Sequence, residues 1–229
     1  MTVIFFDIDG TLLDHAGAER ASATALHQAL GAALPVEEFL SRWSAALERE
    51  FARYLKGEIT YQAQGRARVR AVIDPALADD TADRIYAQYL AGYEEAWSLF
   101  PDVLPCLDML AENRLGIISN GLTSEQRRKL VKTGIDARFE AILISEACGR
   151  AKPSPEIFHH GCAAIGESPS NVIYVGDHYD LDACAARQAG LTGIWLDRCG
   201  RATGSHLHPI ITKLDQLPAL LKLRRSAFG

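Results

Sequence analysis

Val3-Ile4-Phe5-Phe6-Asp7-Ile8-Asp9-Gly10-Thr11 is the stretch that decides how this chain folds. Four apolar residues run without alternation and stop at a carboxylate, which is the pattern of a strand buried on both faces of a parallel sheet. The turn that follows carries two acids two positions apart and then a glycine. At ordinary residue frequencies, Asp-x-Asp-Gly-Thr arises by chance about twice per thousand chains of this length. Ligands on open α/β sheets bind beyond the carboxyl ends of the strands, and Asp7 stands at such an end. Two carboxylates this close repel, and one would tend to take up a proton. A divalent cation removes that conflict, and magnesium usually shares its oxygen ligands with a substrate phosphate. The plain alternative for Asp9-Gly10 is a turn that only reverses the chain.

Similar apolar runs occur at Leu115–Ser119, Ala141–Ser145, Val172–Val175 and Gly193–Leu196. Helical stretches lie between them at Ser124–Lys132, Pro155–Ile165 and Leu181–Ala189. Strands alternating with helices predict a three-layer, Rossmann-like α/β core with a parallel sheet. One segment breaks the alternation. From His15 to Ser98 no strand is legible, and Val36–Leu55 places Phe39, Leu40, Trp43, Ala46, Leu47, Phe51 and Leu55 at helical spacing. Thr81–Trp97 does the same with Ile85, Tyr89, Tyr93 and Trp97, and Leu34-Pro35 and Asp74-Pro75 punctuate the segment. The prediction is a discontinuous core, residues 1–14 and 99–229, with an all-helical domain inserted over residues 15–98.

Three further segments carry polar chemistry. The second strand ends Ser119-Asn120-Gly121, a hydroxyl and an amide suited to donating to phosphate oxygens. Lys152 sits in Ala151-Lys152-Pro153-Ser154-Pro155, where prolines restrict the backbone and hold a fixed positive charge in place. The fourth strand ends Val175-Gly176-Asp177, with more carboxylates at Asp180 and Asp182. Each piece alone has an ordinary reading as a loop, a surface lysine or a capped turn. Together they occur in order, and three of the four close a strand.

The bulk numbers are those of an ordinary globular protein: 229 residues, 48% hydrophobic and 23% charged. No run approaches the about 18 apolar residues of a membrane span, and the first residues lack the positive region of a signal peptide, so a cytoplasmic location is expected. A net charge of −5 argues against a nucleic acid polymer as partner. Cys106, Cys148, Cys162, Cys184 and Cys199 fit neither a disulfide framework nor a zinc site. His159-His160 and His206-Leu207-His208 lack other ligands at metal spacing and read as surface or loop residues, and His178 borders the site without a chemical role.

The chain resembles the haloacid dehalogenase-like hydrolase superfamily over nearly its whole length, on Asp7-Ile8-Asp9-Gly10-Thr11, on Ser119 with Asn120, on Lys152, and on Gly176-Asp177 through Asp182. The resemblance implies a sheet of order 5-4-1-2-3 and a helical cap that closes over the strand ends, with hinges near Asp14–Gly17 and Leu99–Asp102. It implies Asp7 as nucleophile and Asp9 as general acid and then base. Mg2+ would be held by Asp7, Asp9 (through its backbone carbonyl) and Asp177. Ser119, Asn120 and Lys152 would hold the phosphoryl group, and Asp182 would support Lys152 or a metal-bound water. Asp180 fits the motif less well.

Among the family's activities, both Asp9 and Asp177 favour a phosphatase over a dehalogenase. Lys56 stands too far into the insert for a phosphonatase. His15 and His27 do not match the histidine pattern of the sugar phosphomutases, which remain the alternative reading. A non-catalytic phosphate-binding module is the second alternative. The expected substrate is a small phosphorylated metabolite, such as a nucleotide or a phosphoglycolate-like ester. Arg66, Arg68 and Arg70 are expected as solvated helix faces.

Overall fold

The structure, a computed structural model, describes residues 1–203 and 209–228. His206 and His208 therefore lie outside the described residues. The chain divides into two compact units, one of Met1–Asp14 with Ser98–Gly229 and one of His15–Trp97.

The first unit is built on strands β1 (Val3–Phe6), β2 (Arg114–Ser119), β3 (Ala141–Ile144), β4 (Val172–Gly176), β5 (Thr192–Leu196) and β6 (Ile210–Ile211). They form one sheet of order β3-β2-β1-β4-β5-β6, parallel throughout. The five-strand order implied by the resemblance is contained in it. The sixth strand is an addition: two residues give no periodicity to read, and Ile210 and Ile211 find their place only by pairing with Trp195 and Leu196. The run ending at Ser145 stops one residue earlier as a strand, because Ser145 opens a helical turn.

β1 lies at the centre, and its residues are buried on both sides. Val3 and Phe5 pack with Ile118, Phe158, Cys162, Tyr174 and Ala186. Ile4 and Phe6 project to the opposite face and are equally inaccessible. Each such side chain contributes about 1.5–3 kcal/mol by leaving water, which is why the run tolerates no alternation. The strand order reverses at β1, so the carboxyl ends of β1, β2 and β4 open the crevice in which such sheets bind ligands.

The second unit consists of α1 (His15–Leu30), α2 (Val36–Leu55), α3 (Tyr61–Val72) and α4 (Asp79–Glu95), with α2 on α3, α1 on α4 and α3 on α4. Its interior corrects the expectation for Arg68. Arg68 is 1% exposed and lies between the rings of Trp43 and Tyr89, 4.6 Å from each centroid. It donates to Glu19 at 2.8 Å and to the Tyr89 hydroxyl at 3.2 Å. A guanidinium tolerates this because it is weakly hydrated and stacks on aromatic faces. Arg66 forks onto Asp83 at 2.7 and 2.6 Å, and Arg70 donates to Leu77 O and Asp79. All three are committed inside this unit.

The chain passes between the units at two places that run side by side. Leu13 bridges Leu99 in antiparallel fashion, Asp14 N donates to Ser98 O at 2.9 Å, and Phe100 N donates to Leu12 O at 3.1 Å. Arg198, just beyond β5, fastens this pair. It forks onto Asp102 at 2.9 and 3.0 Å, donates to Thr11 O at 2.8 Å and lies 3.9 Å from the Phe100 ring centroid.

The remaining helices are α5 (Val103–Met109), α6 (Thr123–Lys132), α7 (Ser145–Cys148), α8 (Pro155–Ile165), α9 (Ala185–Gln188) and α10 (Leu217–Phe228). The helix expected over Leu181–Ala189 is a π-helical turn, Tyr179–Cys184, running into α9. Its backbone comes so close to β5 that a Cβ on Gly193 would stand 2.1 Å from Ala183 O. Backbone cannot yield as a side-chain tip can. Gly193→Ala is therefore expected to cost about 1–3 kcal/mol, a fall of about 2–10 °C in the melting temperature of this unit by calorimetry. An unchanged melting profile would refute the close approach.

No helix among the described residues is long and apolar enough to cross a membrane. The five cysteines are free thiols.

Candidate active site

Asp7 leaves β1 still bonded to the sheet, its N donating to Val175 O at 3.0 Å, so its side chain starts from a rigid base at the head of the crevice. Asp177 follows β4 directly, and the π-helical turn brings Asp182 back towards it. Oxygens of Asp7, Asp177 and Asp182 lie within 4.8 Å of one another. Of the two acids after Asp177, the buried Asp182 belongs to this cluster and Asp180 is exposed.

Gly10 makes the assembly possible. Its φ of +78° is the left-handed conformation that L side chains rarely adopt, and a Cβ there would stand 2.5 Å from Asp177 Oδ2. The glycine of the first motif thus serves both the turn and the approach of two segments about 170 residues apart in a chain of ordinary spacing.

Lys152 is buried beside the three acids. Its Nζ lies 2.6 Å from Asp182 Oδ1 and 2.9 Å from Asp7 Oδ1. The contact with Asp7 is an ion pair off the angle of a hydrogen bond, so that oxygen has no hydrogen-bond partner. Burial works against the lysine's charge, but Asp182 and Asp7 outweigh it and hold its pKa above the ordinary lysine value. The same burial raises Asp7 to about 6 against the pull of Lys152, with Asp182 adding to the rise. Asp177, raised by burial and then by Asp7 and Asp182, reaches about 8.

The buried Lys152 faces three clustered acids, which leaves excess negative charge in a site largely closed to water. Oxygen donors, one of them buried and without a hydrogen bond, form a set suited to a hard divalent ion. Asp7, Asp177 and Asp182 could hold one.

The other expected residues are placed as follows. Ser119 ends β2 next to β1 and is buried. Asn120 spends its amide on the backbone of Lys152, accepting from its N at 2.8 Å and donating to its O at 3.0 Å. This fixes the Lys152 loop to the end of β2. Asp9 is not one of the three clustered acids. Lys129 Nζ stands 2.9 Å from both of its carboxylate oxygens, and Gln126 Nε2 donates to Oδ2 at 2.8 Å. His178 accepts from Leu181 N at 3.2 Å through Nδ1 and so caps the π-helical turn.

Three site residues escaped the sequence reading. Lys129 and Gln126 are buried on α6, at an i, i+3 spacing where an inward face is normally apolar. Tyr174 is buried in β4, and its hydroxyl donates to Ile118 O at 2.8 Å while accepting from Lys152 Nζ at 2.9 Å. A hydroxyl within an otherwise apolar central strand was the available signal.

The sequence profile of the haloacid dehalogenase-like hydrolases matches residues 1–190. The chain belongs to that family. Relatives include a glyceraldehyde 3-phosphate phosphatase of Methanopyrus kandleri, 29% identical over 85% of this chain and 83% of that one. An N-acylneuraminate-9-phosphatase of Mus musculus is 28% identical over 96% of this chain and 93% of its own. A phosphoserine phosphatase of Thermus thermophilus is 29% identical over 86% and 89%. Among solved structures, the magnesium-bound HAD-hydrolase YfnB of Bacillus subtilis superposes with a TM-score of 0.81 at 22% identity, over 96% of this chain and 98% of that one. A 2-haloacid dehalogenase of Pseudomonas syringae gives 0.70 at 28% identity, over 98% and 99%.

Proposed function

We propose that this member of the family is a magnesium-dependent phosphatase that hydrolyses a phosphate monoester of a small metabolite through a phospho-aspartyl intermediate on Asp7. The observation that carries the reading is Asp177 beside Asp7 and Asp182, with oxygens within 4.8 Å. A halide-displacing enzyme needs no such cation site. The phosphatase relatives support the same choice, since each is named for a small phosphorylated molecule.

In this reading an Asp7 carboxylate oxygen bonds to phosphorus as the bond to the leaving oxygen breaks, and Asp9, having taken a proton from the incoming ester monoanion, passes it to that oxygen. Asp9 then takes a proton from water, which attacks phosphorus and frees Asp7. Lys152, held by Asp182 and Tyr174, neutralises charge on the phosphoryl oxygens. Ser119 donates to the same oxygens, and Asn120 keeps the Lys152 loop in register. Asp7, Asp177 and the Asp9 carbonyl would hold Mg2+, which would supply the charge neutralisation that lets one anion approach another. The helical unit is the proposed cap, and the compartment is proposed to be the cytoplasm.

Two measurements test this. Phosphate release from p-nitrophenyl phosphate and a panel of metabolite esters should require Mg2+ and stop on chelation; no release from any ester would sink the reading. Mg2+ at about 100 times its Kd should stabilise the protein by about 2.7 kcal/mol, raising the melting temperature by about 5–10 °C. Asp177→Asn should lose that rise, and a rise of undiminished size in the variant would remove Asp177 from the metal site.

A further inference from the structure

We propose that Gln126 and Lys129 are positioning residues that seat the Asp9 carboxylate on α6, apart from the Asp7–Asp177–Asp182 cluster. The inference rests on the phosphatase reading above and adds to it two residues on a helix outside the four motifs.

Lys129 is 1% exposed at the side chain, and its Nζ reaches both oxygens of Asp9 at 2.9 Å and Glu125 at 3.0 Å. Stability alone gives little reason for such an arrangement, because apolar residues of similar volume commonly serve as well as a buried ion pair. Gln126 completes the seat. Its Nε2 donates to Asp9 Oδ2 at 2.8 Å and to Asn120 O at 2.9 Å, and lies 3.5 Å from Ser119 Oγ. The group that orients Asp9 is thereby tied to the end of β2. Asp9 keeps a quarter of its side chain accessible, so it is held and yet reachable.

The chemical need is specific. Asp7 and Asp9 are two residues apart beside a cation site, and a carboxylate drawn onto a divalent ion cannot serve the leaving oxygen. Two fixed donors on one side of Asp9 compete with that attraction and set its direction. A positioned proton donor is worth about 10²–10⁴-fold, and a displacement of about 1 Å can forfeit about 10²-fold.

The test compares kcat/KM, which covers the steps up to release of the alcohol, for two kinds of ester. An alkyl phosphate needs a proton on its leaving oxygen, whereas p-nitrophenolate departs largely without one. Lys129→Met is expected to lower the alkyl value about 10²-fold and the p-nitrophenyl value less than about 5-fold, and Lys129→Arg should restore most of the alkyl activity. In an Asp9→Asn background Lys129→Met should have no further effect on the alkyl ester. Should Lys129→Met fail to fold, Gln126→Ala should show the same selectivity with a loss of about 10-fold. Equal losses on both esters, or losses that add in the double variant, would overturn the seat while leaving the phosphatase reading intact. A wild-type protein that hydrolyses no ester with Mg2+ overturns both.

Discussion

Asp7→Asn is expected to lower turnover by on the order of 10⁴-fold or more without lowering the melting temperature. The two halves of that result have separate causes. In the proposed reaction the amide cannot form the acyl phosphate bond, so the covalent route closes. The fold, however, gains from losing the charge. Burial raises the Asp7 carboxyl to about 6, above its unfolded value. An acid shifted upwards in this way favours the native state where it is protonated, and that advantage is lost as pH rises through about 6. At neutral pH the metal-free protein therefore carries an ionised group that its surroundings resist, and asparagine removes it. Lys152 keeps Asp182 at 2.6 Å as its counter-charge. A melting temperature equal to or above that of the parent in chelator, with activity at background, is the expected pair of readings. Loss of activity accompanied by a large fall in melting temperature would show that Asp7 holds the fold and leave its chemical role unsupported.

Lys152→Met reverses the pattern, because here both activity and stability should fall. The lysine is the positive group among three clustered acids, and it also donates to Tyr174. Removing one partner of a buried pair costs about 3–5 kcal/mol, and removing a preorganised charge from the phosphoryl group costs about 10²–10³-fold in kcat. The pH dependence gives the sign. With Lys152 gone, Asp7 and Asp177 lose their neutralising neighbour, so their folded-state pKa values rise further. Stability of the variant then falls as pH rises from the acid range towards neutrality, and its deficit against the parent should be smallest near pH 4 and widen towards pH 8. Mg2+ should recover part of the stability and little of the rate. A deficit independent of pH would mean that Lys152 acts through packing, and a normal kcat would end its assignment to the phosphoryl group.

The strand ends were legible in the sequence for a physical reason. A buried parallel strand is an uninterrupted apolar run, and the residue that stops it must face the crevice, so Asp7, Ser119 and Asp177 announce themselves by position. Lys152 was legible only through its company. The residues that hold the chemistry in place were not. Glu125-Gln126-Arg127-Arg128-Lys129 reads as a charged, solvated helix, and nothing local says that the second and fifth of these turn inward while the arginines stay outside. Tyr174 in Val172-Ile173-Tyr174-Val175 looks like an ordinary strand former until the lysine beneath the sheet edge is placed. The three arginines of α3 differ by their position on the helix. Arg66 and Arg70 are one helical turn apart and share a face, whereas Arg68 points to the other side, where the aromatic interior takes it in. β6 was beyond reach because its two residues carry no pattern of their own.

The paired crossings at Leu13 and Leu99 have a consequence for how such an enzyme can be rebuilt. Because the inserted segment leaves and re-enters the sheet-bearing unit at adjacent, hydrogen-bonded points fastened by Arg198, its two ends make a single socket. A helical module with neighbouring termini is therefore expected to fit at the same socket without displacing the strand that carries Asp7.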